Sequence, residues 1–281
     1  MTPEVFFLVL LAAFLHALWN ALVKVDGDGM SSMAVIVTIQ AAIAILLIAF
    51  VPVPGASGWP FLLGAAVLHT GYRLFLVESY RFGDLGRVYP IARGSSPLIV
   101  AVLAVAFVGE TTDPQSLAAI FIISIGIMSL SLTRGLDRAR DGRAVALALA
   151  TGTFAAVYTI VDGLGARHAG SASAYMIWVS LLDAVAFLPV AQFGRRGALW
   201  PSSAKRWTAG AIAGVTGSVA YWLIVWALTI APMASVSALR ATSIGFAVVF
   251  GVVFLKEPVT ALRSVSAIAI AAGTAMLKFG K

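Results

Sequence analysis

The chain has 281 residues, of which 60% are hydrophobic and only 11% charged, with a mean hydropathy of +0.98. Soluble domains carry about a quarter charged residues, so this balance excludes a water-soluble globular domain and points to a chain whose solvent is largely lipid. The net charge is +7 and there is no cysteine, which removes disulfides, thiolate metal sites and cysteine nucleophiles.

Ten apolar runs follow one another, at residues 4–23, 33–51, 60–80, 87–108, 114–132, 144–163, 174–193, 208–228, 233–254 and 260–279. Each is close to the roughly 20 residues that cross a hydrocarbon core as a helix, and about eight residues per connection leave no room for a soluble domain. The runs are continuously apolar rather than alternating, which favours helices over a barrel. The fold expected is an all-α integral membrane protein of ten transmembrane helices. The opening "MTPE" lacks a basic segment and the apolar stretch after it is longer than a signal peptide's, so an uncleaved first span is expected.

Polar residues inside such runs are costly in lipid and should face the bundle interior or a cavity. The first run carries His16, Trp19 and Asn20, spaced i, i+3, i+4. In the third run His69, Tyr72, Arg73 and Tyr80 share one helical face, completed by Leu76, with Glu78 nearby. These positions suit an amphipathic wall, although intramembrane polar residues also serve as glue between helices. The fourth run opens with "VYPIARGSSPLIV" (88–100), which places Tyr89, Arg93 and Ser96 among Pro90 and Pro97. Prolines remove backbone donors, so these two and Pro232, before the ninth run, are expected as hinges.

Tyr158 and Asp162 repeat the one-turn spacing in the sixth run, and Tyr221, Trp222 and Trp226 stand in the eighth. Trp226 fits an interfacial anchor as well as a cavity wall, and Trp59, Trp200 and Trp207 read as anchors. Arg240 and Ser243 lie in the ninth run. Glu78, Asp162 and Asp183 are the acidic residues within spans; Glu78 and Asp162 are candidates for proton coupling, and each is equally a candidate partner for an arginine or a helix end. Glu110 and Glu257, at the ends of the fourth and ninth runs, are expected to cap a following helix or set loop geometry. Small residues such as "AGAIAGVTGS" (209–218) allow close helix packing.

Orientation follows from lysine and arginine. Odd-numbered connections receive thirteen of these residues, the opposite side only Arg167, Lys278 and Lys281, and Arg73, Arg93 and Arg240 lie within spans. The bias puts both termini outside, with the basic residues acting as topology signals and contacts to membrane lipid; their dispersion argues against nucleic acid.

The chain is written twice. Residues 1–133 and 144–281 each hold five runs, joined by a basic connection at 134–143, and an odd number of spans per half makes related halves inverted. A shift of 147 lays "RGSSPLIVAVLAVAFVGE" (93–110) over "RATSIGFAVVFGVVFLKE" (240–257), with Arg93 on Arg240, Ser96 on Ser243 and Glu110 on Glu257. The same shift lays Ile123 on Ile270 and Gly126 on Gly273, and an aromatic–polar pair recurs as Trp19-Asn20 and Tyr158-Thr159. The two arginines are expected to mark opposite ends of a path, each holding a gate or meeting a substrate carboxylate; the alternative is a repeated structural arginine bound to backbone carbonyls.

Two such repeats, each with an aromatic–polar pair in its first span and a fourth span ending in "VGE" or "LKEP", resemble the EamA-type ten-helix permeases of the drug/metabolite transporter superfamily. "GDLGR" (83–87) departs from that pattern. The resemblance implies two inverted five-helix repeats around a central cavity made from the first, third, fourth, sixth, eighth and ninth spans. It further implies a secondary transporter of a bacterial inner membrane that needs no cofactor and exports small amphipathic metabolites, with aromatic amino acids favoured; because the duplication supplies both halves in one chain, a monomer is expected to suffice. Rival readings are a multidrug or cation exporter, for which Asp162 would be the cavity carboxylate, and a transporter or flippase of sugar- or lipid-linked metabolites. A membrane enzyme has no support, since His16, His69 and His168 form no metal motif and no nucleophile context is visible.

Overall fold

A computed structural model describes residues 1–24, 28–82, 85–133, 138–194, 198–255 and 259–279. Helices account for every predicted run: α1 (Pro3–Lys24), α2 (Gly29–Leu47), α3 (Trp59–Phe82), α4 (Leu85–Leu103), α5 (Pro114–Ser129), α6 (Arg138–His168), α7 (Ala172–Gly194), α8 (Ala204–Ile230), α9 (Met233–Ala241), α10 (Ser243–Leu255) and α11 (Ala261–Phe279). The ten spans thus take eleven helices, because the ninth run is broken in two at Thr242, whose hydroxyl donates back to Leu239 O at 2.6 Å. Large apolar side chains such as Phe7, Leu46, Val102 and Phe193 stand exposed on the outside of the bundle, the surface a lipid-embedded protein presents. The protein is a multi-pass membrane protein.

Local signals set the helix ends. Asp113 caps α5 by accepting from Ser116 N at 2.9 Å, and Pro114 follows in the first turn, where its missing N–H costs nothing. After α4 the chain closes a wide turn over Ala104–Val108 and stops at Gly109, whose φ of 72° is the left-handed conformation glycine reaches without a Cβ clash. Pro90 and Pro97 do not break α4, which runs continuously through both. Neighbouring helices in a membrane bundle hold a proline-containing helix together, and both prolines are buried. The discontinuity falls instead in the counterpart span, at Thr242, while Pro232 serves as the cap of α9.

Contacts between the halves come in exchanged pairs. The third span of each half packs on the first span of the other, as α3 on α6 and α8 on α1. The fourth span does likewise, as α4 on α6 and α9 with α10 on α1. The second and fifth spans meet their own counterparts, α2 on α7 and α5 on α11. This is the contact pattern of a two-fold axis, and with five spans per half the axis relates the repeats upside down.

The α5–α11 seam shows the relation in atoms. A Cβ at Gly126 would lie 3.0 Å from Ala269 Cβ and 3.3 Å from Ser266 O. At Gly273 it would lie 2.7 Å from Ile123 Cγ1 and 2.9 Å from Ala119 O. Each helix therefore uses its glycine to admit the other's backbone, and Ser129 and Ser266 hydroxyls meet at 2.7 Å across the same seam. Gly273→Ala is expected to cost about 1–3 kcal/mol by overpacking and Gly126→Ala less, because both the side-chain and the backbone approaches are closer at Gly273. Apparent Tm of the two purified variants in detergent checks the order; equal values would refute it.

Candidate functional site: a polar cavity between the repeats

Where the halves meet, a cavity of about 110 Å³ is lined from eight spans. His16 from α1, His69, Tyr72 and Arg73 from α3, Arg93 from α4, and Tyr158, Tyr221 and Arg240 from α6, α8 and α9 line it, while Asp162 stands behind the lining. Edge-to-face contacts set the aromatic wall, with His69 4.6 Å and Tyr72 5.4 Å from the Tyr158 ring, centroid to centroid.

Both buried aspartates beside the cavity have hydrogen-bonded partners. Asp162 is buried and accepts from Tyr221 Oη at 2.6 Å, Tyr175 Oη at 3.1 Å and His69 Nε2 at 3.1 Å. Asp183 takes both arms of the Arg73 guanidinium at 2.6 Å, a fork-on-fork ion pair, while His69 Nδ1 lies 3.9 Å away on its other side. The Arg73 guanidinium also stands 5.2 Å from the Phe187 ring.

Arg93 and Arg240 have different company. Arg93 donates from Nε to Tyr89 Oη at 3.1 Å and meets His16 Nε2 through Nη2. Arg240 donates from Nη2 to Tyr158 Oη at 3.1 Å and to Thr159 Oγ1 at 3.5 Å. The aromatic–polar pair Tyr158-Thr159 is thus the arginine's seat; its counterparts Trp19 and Asn20 have side chains outside the described residues, as does Glu257. The arginines do not mark opposite ends of a path but line the same cavity. Each starts about six residues, roughly 9 Å, into a span of about 30 Å, and a long side chain turned inward reaches on towards the middle, where inverted repeats bring both heads together.

Several other candidates lie away from the cavity. Trp222 follows Tyr221 by one residue, a turn of about 100° around the helix, and so is exposed, donating to Ser173 Oγ at 3.0 Å. Tyr80 packs at the end of α3 against the Val88–Ile91 cluster. Tyr89 accepts from Arg93, and the buried hydroxyls of Ser96 and Ser243 have no hydrogen-bond partner among the described residues. Glu78 is at a helix end, 3.1 Å from Arg81, outside the cavity lining. Asp183, Ser180 and Gln40 line the cavity from the two spans not expected there. Gln40 was detectable as an amide inside an otherwise apolar run.

The model of the EamA-like transporter family matches residues 4–132 and again residues 142–279. The chain belongs to this family. No curated protein matches it. A solved structure described as "Crystal structure of protein" is similar over 98% of this chain and 96% of that one, with a TM-score of 0.80 at 16% identity, which shows a shared fold.

In this EamA transporter the end of the bundle carrying Pro3 is closely packed. Val5, Phe6 and Val9 of α1 pack in one core with Ala104, Leu228, Ala231 and Met233. Above that core, Glu110 caps the start of α9 by accepting from Met233 N at 2.7 Å and pairs with Arg167 Nη2 at 2.9 Å. Arg167 in turn donates to Leu228 O at 2.8 Å and 3.0 Å, near the C-terminal end of α8. One carboxylate and one guanidinium thus satisfy a helix start and a helix end from opposite halves of the chain. Glu110 does cap a helix, though in the other half rather than the next in sequence.

Asp183→Asn should destabilise the transporter by about 3–5 kcal/mol, since it strands a buried guanidinium, whereas Arg73→Met with Asp183→Leu should recover most of the loss. Apparent Tm values of the single and double variants decide this, and a double variant as unstable as the single would count against it.

Proposed function

We propose that this EamA transporter exports small amphipathic metabolites carrying a carboxylate, aromatic amino acids above all, by alternating access through the central cavity. The observation that carries the reading is the pair Arg93 and Arg240, buried in one cavity beside tyrosine rings with no described carboxylate as partner. Arginine forks match carboxylates, and edge-to-face rings offer apolar area to an aromatic side chain. A cation exporter has less support, because Asp162 and Asp183 already hold three donors and a guanidinium. The lysine and arginine bias supports a bacterial inner-membrane orientation with both termini outside. In that orientation the Glu110–Arg167 network is the external seal.

Saturable uptake of labelled phenylalanine or tyrosine into proteoliposomes is expected, lost by at least tenfold in Arg93→Ala with Arg240→Ala. No uptake above empty liposomes would sink the substrate assignment. The seal has its own readout in a cysteine-free chain: with one cysteine at Ala12, Glu110→Gln should raise labelling by an impermeant maleimide from the N-terminal side severalfold. Unchanged labelling would remove Glu110 from the seal.

A further inference from the structure

The charges of the cavity do not balance, and the imbalance has a direction. Arg73 is neutralised by Asp183, and Asp162 is taken up by two tyrosine hydroxyls and His69. Arg93 and Arg240 are 3% and 6% exposed, yet their partners are a tyrosine and a histidine in one case and a tyrosine and a threonine in the other. None of these brings a negative charge. The faces of Tyr89 and Tyr158, each 5.5 Å from a guanidinium carbon, offset part of the cost of burial.

A guanidinium has five N–H donors. Among the described residues Nη1 of Arg93, and Nε and Nη1 of Arg240, have no hydrogen-bond partner. Both groups line the same cavity together with His16 and Tyr72, so they belong to one site rather than to two separate ones. The cavity therefore offers paired cations with spare donors for an anion. It offers less to a cation, since Asp183, the carboxylate in its lining, is paired with Arg73, and Asp162 stands behind the lining, accepting from two tyrosines and His69.

We propose that Arg93 and Arg240 together form the receptor for one substrate carboxylate, and that the transporter recognises aromatic carboxylate anions without any hold on an α-ammonium group. The inference rests on the function proposed above and narrows it: arylalkanoic and aryl-2-oxo acids are substrates at least as good as the corresponding amino acids. An ammonium group entering the cavity meets two arginines that have no described carboxylate partner, while the carboxylate in the lining, Asp183, is already paired with Arg73, so it weakens binding. Tyr72 and Tyr158 then lie beside the aryl ring, and Ile36 and Ile224 supply the apolar remainder of the wall.

The test is direct binding of three probes to the purified full-length transporter in nanodiscs by titration calorimetry: 3-phenylpropionate, L-phenylalanine and phenethylamine. The expected order is 3-phenylpropionate tighter than L-phenylalanine by about tenfold, with phenethylamine not bound. L-phenylalanine binding while 3-phenylpropionate does not would overturn the inference and leave the amino-acid reading standing. Phenethylamine as the tightest probe, or no binding of any probe, would overturn both. Arg240→Gln and Arg93→Gln are each expected to lower 3-phenylpropionate affinity at least tenfold. Arg240→Lys keeps the charge and loses the fork, so it should retain part of the affinity; a variant pair that binds as the wild type does would refute the receptor even where Arg240→Gln fails to fold.

Discussion

A guanidinium cannot face lipid, and this chain carries three of them inside its spans. That constraint orients the helices that bear them. α3, α4 and α9 must turn Arg73, Arg93 and Arg240 inward, and the residues that flank them in sequence then fall on the remaining faces. Val102 and Val249, nine residues beyond Arg93 and Arg240 respectively, stand exposed on the outside of the bundle. Inward charge and outward valine are two consequences of one helical period. The buried cations also explain why tyrosine recurs around the cavity, since its ring face and its hydroxyl both serve a guanidinium that has no carboxylate.

The two-fold relation is close in the scaffold and loose in the site. Gly126 and Gly273 perform the same task on opposite sides of the α5–α11 seam. Arg93 and Arg240 occupy equivalent positions but draw on unlike partners, a residue of its own helix and His16 of α1 in the one case, two residues of α6 in the other. Both aspartates belong to the second half, while His69 and Arg73 belong to the first. Packing depends on volume and backbone approach, which a duplication preserves by repeating small residues. A binding cavity crossed by the axis has one substrate to fit, and an asymmetric molecule is better met by unequal walls.

This difference governs what could be read from sequence. Span number, the inverted repeat and the inward faces of the first, third and sixth spans were legible because charge and aromatic rings at one-turn spacing are rare in apolar runs. The partner of each charge was not. His69 finds Asp162 across 93 residues and Arg73 finds Asp183 across 110, pairings that depend on how the halves dock. Trp222 was misread for a local reason: beside Tyr221, only one of two neighbouring rings can face the cavity. The break at Thr242 was missed because prolines drew attention to α4, which neighbouring helices keep continuous.

The seal and the cavity share their supports. α9 is only nine residues long and each of them is buried. Its first N–H is held by Glu110, and Arg240, its next-to-last residue, is held by Tyr158 and Thr159. Met233 and Arg240 are seven residues apart, or about 10 Å along the axis, short enough for the helix to move as a rigid strut. α6 carries the partners of Arg240, Tyr158 and Thr159, and also Arg167, which pairs with the Glu110 that caps α9. A movement of α9 at its Glu110 end is carried along this short helix to Arg240, and the chain changes helix at Thr242, just beyond it. Under the alternating access proposed here, an anion bound to Arg240 and a carboxylate capping α9 act on the two ends of the same helix, which gives the substrate a mechanical route to the seal without any contact of its own there.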